Sequence, residues 1–199
     1  MKVRTSKYRH KNKIEDFTLH PLKNPHYTSP YLATYRHDGV EKDWEIIQAH
    51  DSVAILLYHR EKEAFVLVRQ FRAAVYLNNQ DGLTVELCAG IVDKEIPLHE
   101  IAREEIEEEC GFAVDSAKIE RISSFYTSVG FAGAKQTLYY AEVDEDMRVS
   151  EGGGIEDEAI EVIYLPLLEA KDFIYDERVA KTPGLMFAFM WWYDTKHRR

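Results

Sequence analysis

Cysteine is scarce in this chain. Only Cys88 and Cys110 occur in 199 residues, with no disulfide framework and no CxxC motif. Inert buried thiols are the simplest reading of both. Long apolar runs are also missing. The longest, Leu185 to Tyr193, is about half of a membrane-spanning helix. The basic start MKVRTSKYRHKNK is not followed by an apolar signal core. These absences lead to the expectation of a soluble protein in a reducing compartment, most simply the cytoplasm, with no membrane partner. Excess positive charge is absent too. The net charge of -10 argues against nucleic-acid binding, and an anionic substrate would need bound cations. The eight histidines are scattered without ligand spacing. No internal repeat or low-complexity segment is visible.

What is present suits a folded enzyme-sized domain. With 45% hydrophobic residues, the chain can bury a sizeable core as one domain with at most a small appendage. Residues 1–30 are polar and read as an arm. Tyr31–Arg36 and Glu41–Ala49 flank His37-Asp38-Gly39-Val40, a hairpin signal. Ser52–Tyr58, Ala64–Gln70 and Leu83–Cys88 read as strands, as do Ile122–Val129, Gln136–Val143 and Ile160–Leu165. Between them lies one helix, with Pro97 in its first turn and Gly111 as its cap. The tail from Leu167 reads as two helices broken near Thr182-Pro183-Gly184. The class is α+β, a mixed sheet packed between helices.

The central helix carries Glu104, Glu105, Glu107, Glu108 and Glu109. At about 100° per residue, Leu98, Ile101, Ala102, Ile106 and Cys110 form one stripe. Glu109 falls within roughly 20° of its centre, Glu105 within roughly 60°, and Glu108 near its edge. A solvated face accounts for Glu104 and Glu107, which point away. It accounts badly for Glu105 and Glu109, because like charges at i,i+4 repel and these two lie among apolar neighbours. A carboxylate on a buried face must be protonated, paired with a cation or bound to metal. Several converging there suggest a site for hard divalent cations.

Read as a unit, Gly90-IVDKEIPLHEIAREEIEEEC-Gly111-Phe112 resembles the Nudix box: G, five residues, E, seven residues, then R-E-U-x-E-E-x-G-U, where U is aliphatic or aromatic. Glu105, Glu108 and Glu109 match the metal glutamates, and Ile106 and Phe112 the apolar positions. Two positions depart: Ile96 stands where the first glutamate falls, and Glu104 where the arginine falls. Those two family residues are thought to tie the loop to the helix, and Glu95 or Arg103 is the expected substitute. The resemblance extends over most of the chain, through HDSVAILLYHREKEAFVLVRQFRAAVY, VELCAG…VD, SVGFAGAKQTLYYAEV and the GGG loop. These stretches are similar to the ADP-sugar and UDP-sugar pyrophosphatase branch, and closest to its UDP-glucose type.

The resemblance implies a Nudix α/β/α sandwich with a mixed sheet over residues 50–199, its box at 90–112. Residues 1–49 are then an arm and β-hairpin used in homodimerisation and base binding. It implies Mg2+, with Mn2+ an alternative, held by Glu105, Glu108, Glu109, the Ala89 carbonyl and Glu158. Oxygen-only ligation fits these ions better than zinc. It places the general base on the Gly152–Ala159 loop at Glu156, with Glu108 the catalytic candidate on the helix. An ordinary solvated acidic loop is the plainer reading of that segment. Arg72, and less so Arg69, are candidates for a bidentate phosphate contact. Trp44 is a candidate platform for the base, and Glu86 a weaker substrate contact. Surface arginines, a buried Trp and a strand-face glutamate are the plainer readings of these four. The expected reaction is hydrolysis of a UDP-sugar to UMP and a sugar 1-phosphate. ADP-ribose or ADP-sugar hydrolysis is the alternative, and a nucleotide-sugar sensor without turnover the second.

Overall fold

The computed structural model describes residues 14–155 and 158–197. Strands β1 (Thr28–His37) and β2 (Val40–Ala49) pair in full antiparallel register, from Thr28↔Ala49 to His37↔Val40. Asp38 and Gly39, at φ 52° and 80°, make the two-residue turn. Left-handed angles at both positions match the twist of the strands they join, so Asp-Gly is favoured there. This hairpin is a separate two-stranded sheet. It docks on the turn at 128–133, where the Ile47 amide donates to Phe131 O at 2.7 Å.

The main sheet has eight strands. Its centre is β3 (Ser52–His59), parallel to β8 (Ala134–Val143) along its whole length. The opposite edge of β3 is shared. Its end pairs with β4 (Ala64–Phe71), and its start with β6 (Cys88–Ile91). β4 also pairs with β5 (Leu83–Glu86) and β9 (Glu161–Pro166), and β7 (Glu120–Thr127) pairs with β8. The segment read as one strand over 83–88 is therefore two, because β5 follows β4 while β6 crosses to β3.

Strand alternation decides the layers. Val53, Ile55 and Leu57 of β3 face helix α2 (Leu98–Cys110), together with Val66, Val68, Ile101 and Ile106. Ala54 and Leu56 face the other way, onto α3 (Leu167–Tyr175) and α4 (Pro183–Thr195), through Phe65, Leu67, Phe173, Phe189 and Trp192. Helices thus cover both faces of a curled mixed sheet. The apolar run in α4 is a core helix: Leu185, Ala188, Phe189 and Trp192 are buried, while Phe187 and Met190 face outward. Two elements were not expected. Helix α1 (Ala73–Asn79) buries no residue, and β10 (Ala180–Lys181) is a two-residue pairing with β5. Cys88 and Cys110 are free and buried. Among the described residues, no helix is long and apolar enough to cross a membrane.

Candidate active site

Pro97 caps the start of helix α2, which ends where Gly111 turns left-handed at φ 76°. Ile101 and Ile106 are essentially fully buried, each worth about 1.5–3 kcal/mol. These anchors fix the helix rotation and carry one carboxylate into the core with them, since Glu109 is only 5% exposed. The Ala89 amide of β6 donates to Glu109 Oε2 at 2.9 Å. Burial pushes the Glu109 carboxyl up to about 8, against the pull of that amide, with the Glu105 charge adding to the rise. Glu105 is half-buried one turn earlier and is pushed up to about 7 by burial, then by Glu108 and Glu158. Its carboxylate lies directly over β6. A Cβ added at Gly90 would sit 1.8 Å from Glu105 Oε1, so any side chain there would displace the Glu105 carboxylate. Glu108 is half-buried and Glu107 exposed.

Burial and like-charge repulsion make these two carboxylates resist ionisation, and a divalent cation on oxygen donors would offset both. The donor set therefore fits a hard cation. Among the described residues, no three carboxylate, imidazole or thiol groups already form a closed cage.

The loop after β8 meets the C-terminal end of α2. The amides of Gly153 and Gly154 donate to Glu109 O (2.9 Å) and Glu108 O (3.1 Å). These are end-of-helix carbonyls with no intrahelical partner. Gly152, at φ 68°, passes so close that a Cβ would lie 2.4 Å from Glu109 O. Through these contacts the glycines anchor the loop to the metal-candidate helix. Beyond them, Glu158 is exposed, accepts from the Ile155 amide at 3.0 Å, and acts electrostatically on Glu105, Glu109 and Arg72. It borders a cavity of about 540 Å³, also lined by Gly152 and Gly153. Glu156 lies outside the described residues.

Two of the substrate candidates pair with each other. Arg72, at the N-terminus of α1, donates through Nε and Nη2 to the two oxygens of Glu86, both at 2.8 Å. Thr84 Oγ1 donates to Glu86 Oε1 at 2.5 Å. Burial raises the Glu86 carboxyl, but Arg72 and Thr84 more than reverse this and hold it below its usual range. Nη1 of Arg72 is not used by the pair. The charges of Glu109 and Glu158 reach Arg72, which puts it beside the carboxylate group. Arg69 instead pairs with Glu161 on β9. Trp44 is on the hairpin, where its indole N–H donates to Gly130 O at 2.7 Å and its ring is largely exposed.

The loop-to-helix tie exists with its charges reversed. Lys94 Nζ lies 2.6 Å from Glu104 Oε2, and Arg103 Nη2 is 3.7 Å from Glu104 Oε1. Arg103 also reaches Glu100 and Glu107. Of the two expected substitutes, Arg103 thus contributes at longer range, and Lys94 rather than Glu95 makes the close pair. Ile96 is 37% exposed. Thr84 and Lys94 are the site residues that sequence reasoning passed over. Thr84 was accessible, since strand alternation puts it on the same face as Glu86.

No family model matches the chain. The bovine protein named uridine diphosphate glucose pyrophosphatase NUDT14 is 37% identical over 199 aligned residues, covering 83% of this chain and 90% of its own. The mouse protein of the same name is 37% identical over 197, covering 84% and 89%. GDP-mannose pyrophosphatase from Cronobacter sakazakii is 42% identical over 147, covering 70% and 75%.

Proposed function

We infer the reaction from one premise: this chain belongs to the Nudix family of nucleoside diphosphate sugar pyrophosphatases. It is a hydrolase of phosphorus anhydrides. The substrate we assign is a UDP-sugar of the UDP-glucose kind, cleaved to UMP and a sugar 1-phosphate. The relatives aligned over more than four-fifths of the chain, named for UDP-glucose, support that choice. The observation that carries the site is the pair of half-buried Glu105 and buried Glu109, one helical turn apart, mutually repelling and set beside Arg72.

A pyrophosphate diester brings two negative charges to a chain whose net charge is -10. Glu105, Glu108 and Glu109, with Glu158 and the Ala89 carbonyl, are the groups that would hold Mg2+ or Mn2+. Such a cation, when bound, neutralises phosphate charge and makes water more acidic. Arg72 is pre-oriented by Glu86, so its free Nη1 is the fork edge offered to a phosphate oxygen. Glu156 is the residue we assign as base, with Glu108 the helix-borne candidate. The base takes a proton from the attacking water as the new P–O bond forms and the bridging P–O bond breaks. Anchoring at Gly152–Gly154 places that loop against the helix bearing the candidate ligands. Residues 1–49 form the unit we assign to homodimerisation, with Trp44 as a base platform. An isolated two-stranded hairpin with exposed Tyr31, Leu32 and Trp44 is marginal without further packing. Two free buried thiols suit a cytoplasmic setting.

The GDP-mannose pyrophosphatase relatives favour a second reading with a guanine nucleotide. The test is an end-point assay with Mg2+, offering UDP-glucose, GDP-mannose and ADP-ribose separately to the wild type and Glu109→Gln. UMP chiefly from UDP-glucose, lost in the variant with its fold kept, is the expected result. GMP or AMP as the main product would overturn the base assignment. Unchanged turnover in Glu109→Gln would remove Glu109 from the cation site.

A further inference from the structure

We propose that Phe17, on the stretch leading into the hairpin, is a positioning residue that holds helix α1 and so aims the Arg72 guanidinium at substrate phosphate. This deepens the function above and rests on the reading of Arg72 as a phosphate contact. Residues 14–27 have no regular structure. Within that stretch Phe17 is 37% exposed, against 67–75% for Leu19, Leu22 and Tyr27. What covers it is Tyr76 of α1: the two ring centroids lie 4.8 Å apart, with the planes inclined at 53°. The backbone is bent on both sides of Phe17. Asp16 takes a left-handed φ of 52°, and the Thr18 hydroxyl donates to Asp16 O at 3.1 Å. Aspartate enters that region more readily than most residues.

Helix α1 depends on such a contact because it buries none of its own residues. It follows Arg72 directly, and the Tyr76 amide donates to Arg72 O at 2.9 Å, so Tyr76 sits one helical turn from the arginine. Tyr76 meets two rings, Phe17 from the N-terminal stretch and Phe71 from the end of β4, the latter at 5.5 Å. Gly82 closes the other side. A Cβ there would lie 2.4 Å from the Phe71 ring and 2.9 Å from Tyr76 Cβ, and the Gly82 carbonyl accepts from the Arg72 amide at 2.8 Å. Glu86 thus fixes Arg72 at its guanidinium, while the aromatic contacts on Tyr76 fix the helix that continues its backbone. Aromatic pairs of this tilted kind contribute beyond the area they bury. Without Phe17, α1 keeps its covalent link to Arg72 but loses one of the two rings that steady Tyr76.

The experiment is a double-variant cycle in the full chain: Phe17→Ala, Arg72→Lys and the two combined, with Phe17→Tyr as the conservative control. Hydrolysis of UDP-glucose with Mg2+ gives kcat/KM. Hydrogen exchange at the Tyr76 and Gln80 amides reports on α1, and Mn2+ affinity and melting temperature report on the helix α2 carboxylates and the fold. Phe17→Ala is expected to lower kcat/KM about 3–10-fold, the scale of one aromatic pair, and to speed exchange at both amides. Mn2+ affinity and melting temperature should stay near wild type, and Phe17→Tyr should restore both kcat/KM and exchange. Added to Arg72→Lys, Phe17→Ala should cost nothing further, because it acts through the fork already lost. Equal losses in both backgrounds would overturn the proposal, and so would unchanged exchange in Phe17→Ala. A loss in Arg72→Lys with none in Phe17→Ala would overturn it and leave the function standing. A wild type without turnover of UDP-glucose would defeat the function and the proposal together.

Discussion

The Glu105 carboxylate occupies the space that any side chain at residue 90 would need, with Oε1 1.8 Å from the position of a Cβ. Strand β6 and helix α2 meet there at contact distance, and Ala89, next to Gly90, donates its amide to Glu109. Both glutamates are thus set by two adjacent residues of one short strand.

Gly90→Ala is expected to displace Glu105. Misplacing a catalytic group by about 1 Å costs on the order of 100-fold in rate. Overpacking at such a contact costs about 1–3 kcal/mol of stability. Activity at saturating Mg2+ and the melting temperature together check this. Wild-type activity in a folded Gly90→Ala protein would show that Glu105 is not needed where it lies.

The hairpin and α2 were legible because their signals are local. Asp38-Gly39 between alternating strands sets a turn, and Ile101, Ala102, Ile106 and Cys110 set a helix face that already contains Glu109. The pairing of Arg72 with Glu86 was not legible, although both residues were candidates. It depends on the β4–β5 register, Gln70↔Thr84 and Phe71↔Leu83, which sequence alone leaves open. Helix α1 escaped notice because it buries nothing, and therefore has no apolar stripe to read. The contact of Gly152–Gly154 with the end of α2 was not legible for a related reason. Glycine run composition does not distinguish a hinge from a close approach, and only the contact with Glu109 O does.

Arg72→Lys keeps the charge and loses the planar fork that grips Glu86 through two nitrogens. The lysine can neither hold Glu86 bidentately nor present a pre-oriented edge to phosphate. A fall in kcat/KM of about 10–100-fold is expected, on the order of 1.4–2.7 kcal/mol of transition-state stabilisation. Steady-state kinetics on the nucleotide sugar check it. Near-normal kcat/KM would mean that Arg72 serves only to neutralise Glu86.

Gly152→Ala sets a methyl group against Glu109 O at 2.4 Å and asks alanine to adopt φ 68°. The loop bearing Glu156 and Glu158 should lift from the end of α2. The expected outcome is a large loss of kcat with Mn2+ affinity reduced far less, because Glu105, Glu108 and Glu109 remain on the helix. Equal losses in both, measured by kinetics and Mn2+ titration, would mean that the glycine supports the whole site rather than the loop.

His59 yields a pH prediction for stability. Its ring is fully buried. Nδ1 accepts from the Lys62 amide at 3.3 Å, and Nε2 faces both Lys62 Nζ at 2.9 Å, which can only donate, and Glu145 Oε2 at 3.2 Å. A donor from Lys62 at each ring nitrogen favours the neutral imidazole over the imidazolium. Burial, then the Lys62 charge, lowers its pKa below 6.5, with Glu145 opposing. The unfolded chain therefore binds a proton that the folded chain resists. Above about pH 6.5 both states are neutral and the group leaves stability unchanged. As pH falls through 6.5 toward the lower folded value, the unfolded state gains and stability drops, levelling off once both states are protonated. Denaturant unfolding at pH 7.5, 6.5, 5.5 and 5.0 should show this loss in the wild type. His59→Asn keeps a polar acceptor and has no titration in this range, so its stability should decline less over the same window. Parallel slopes for the two proteins would mean that His59 titrates alike in the folded and unfolded chain, against its burial.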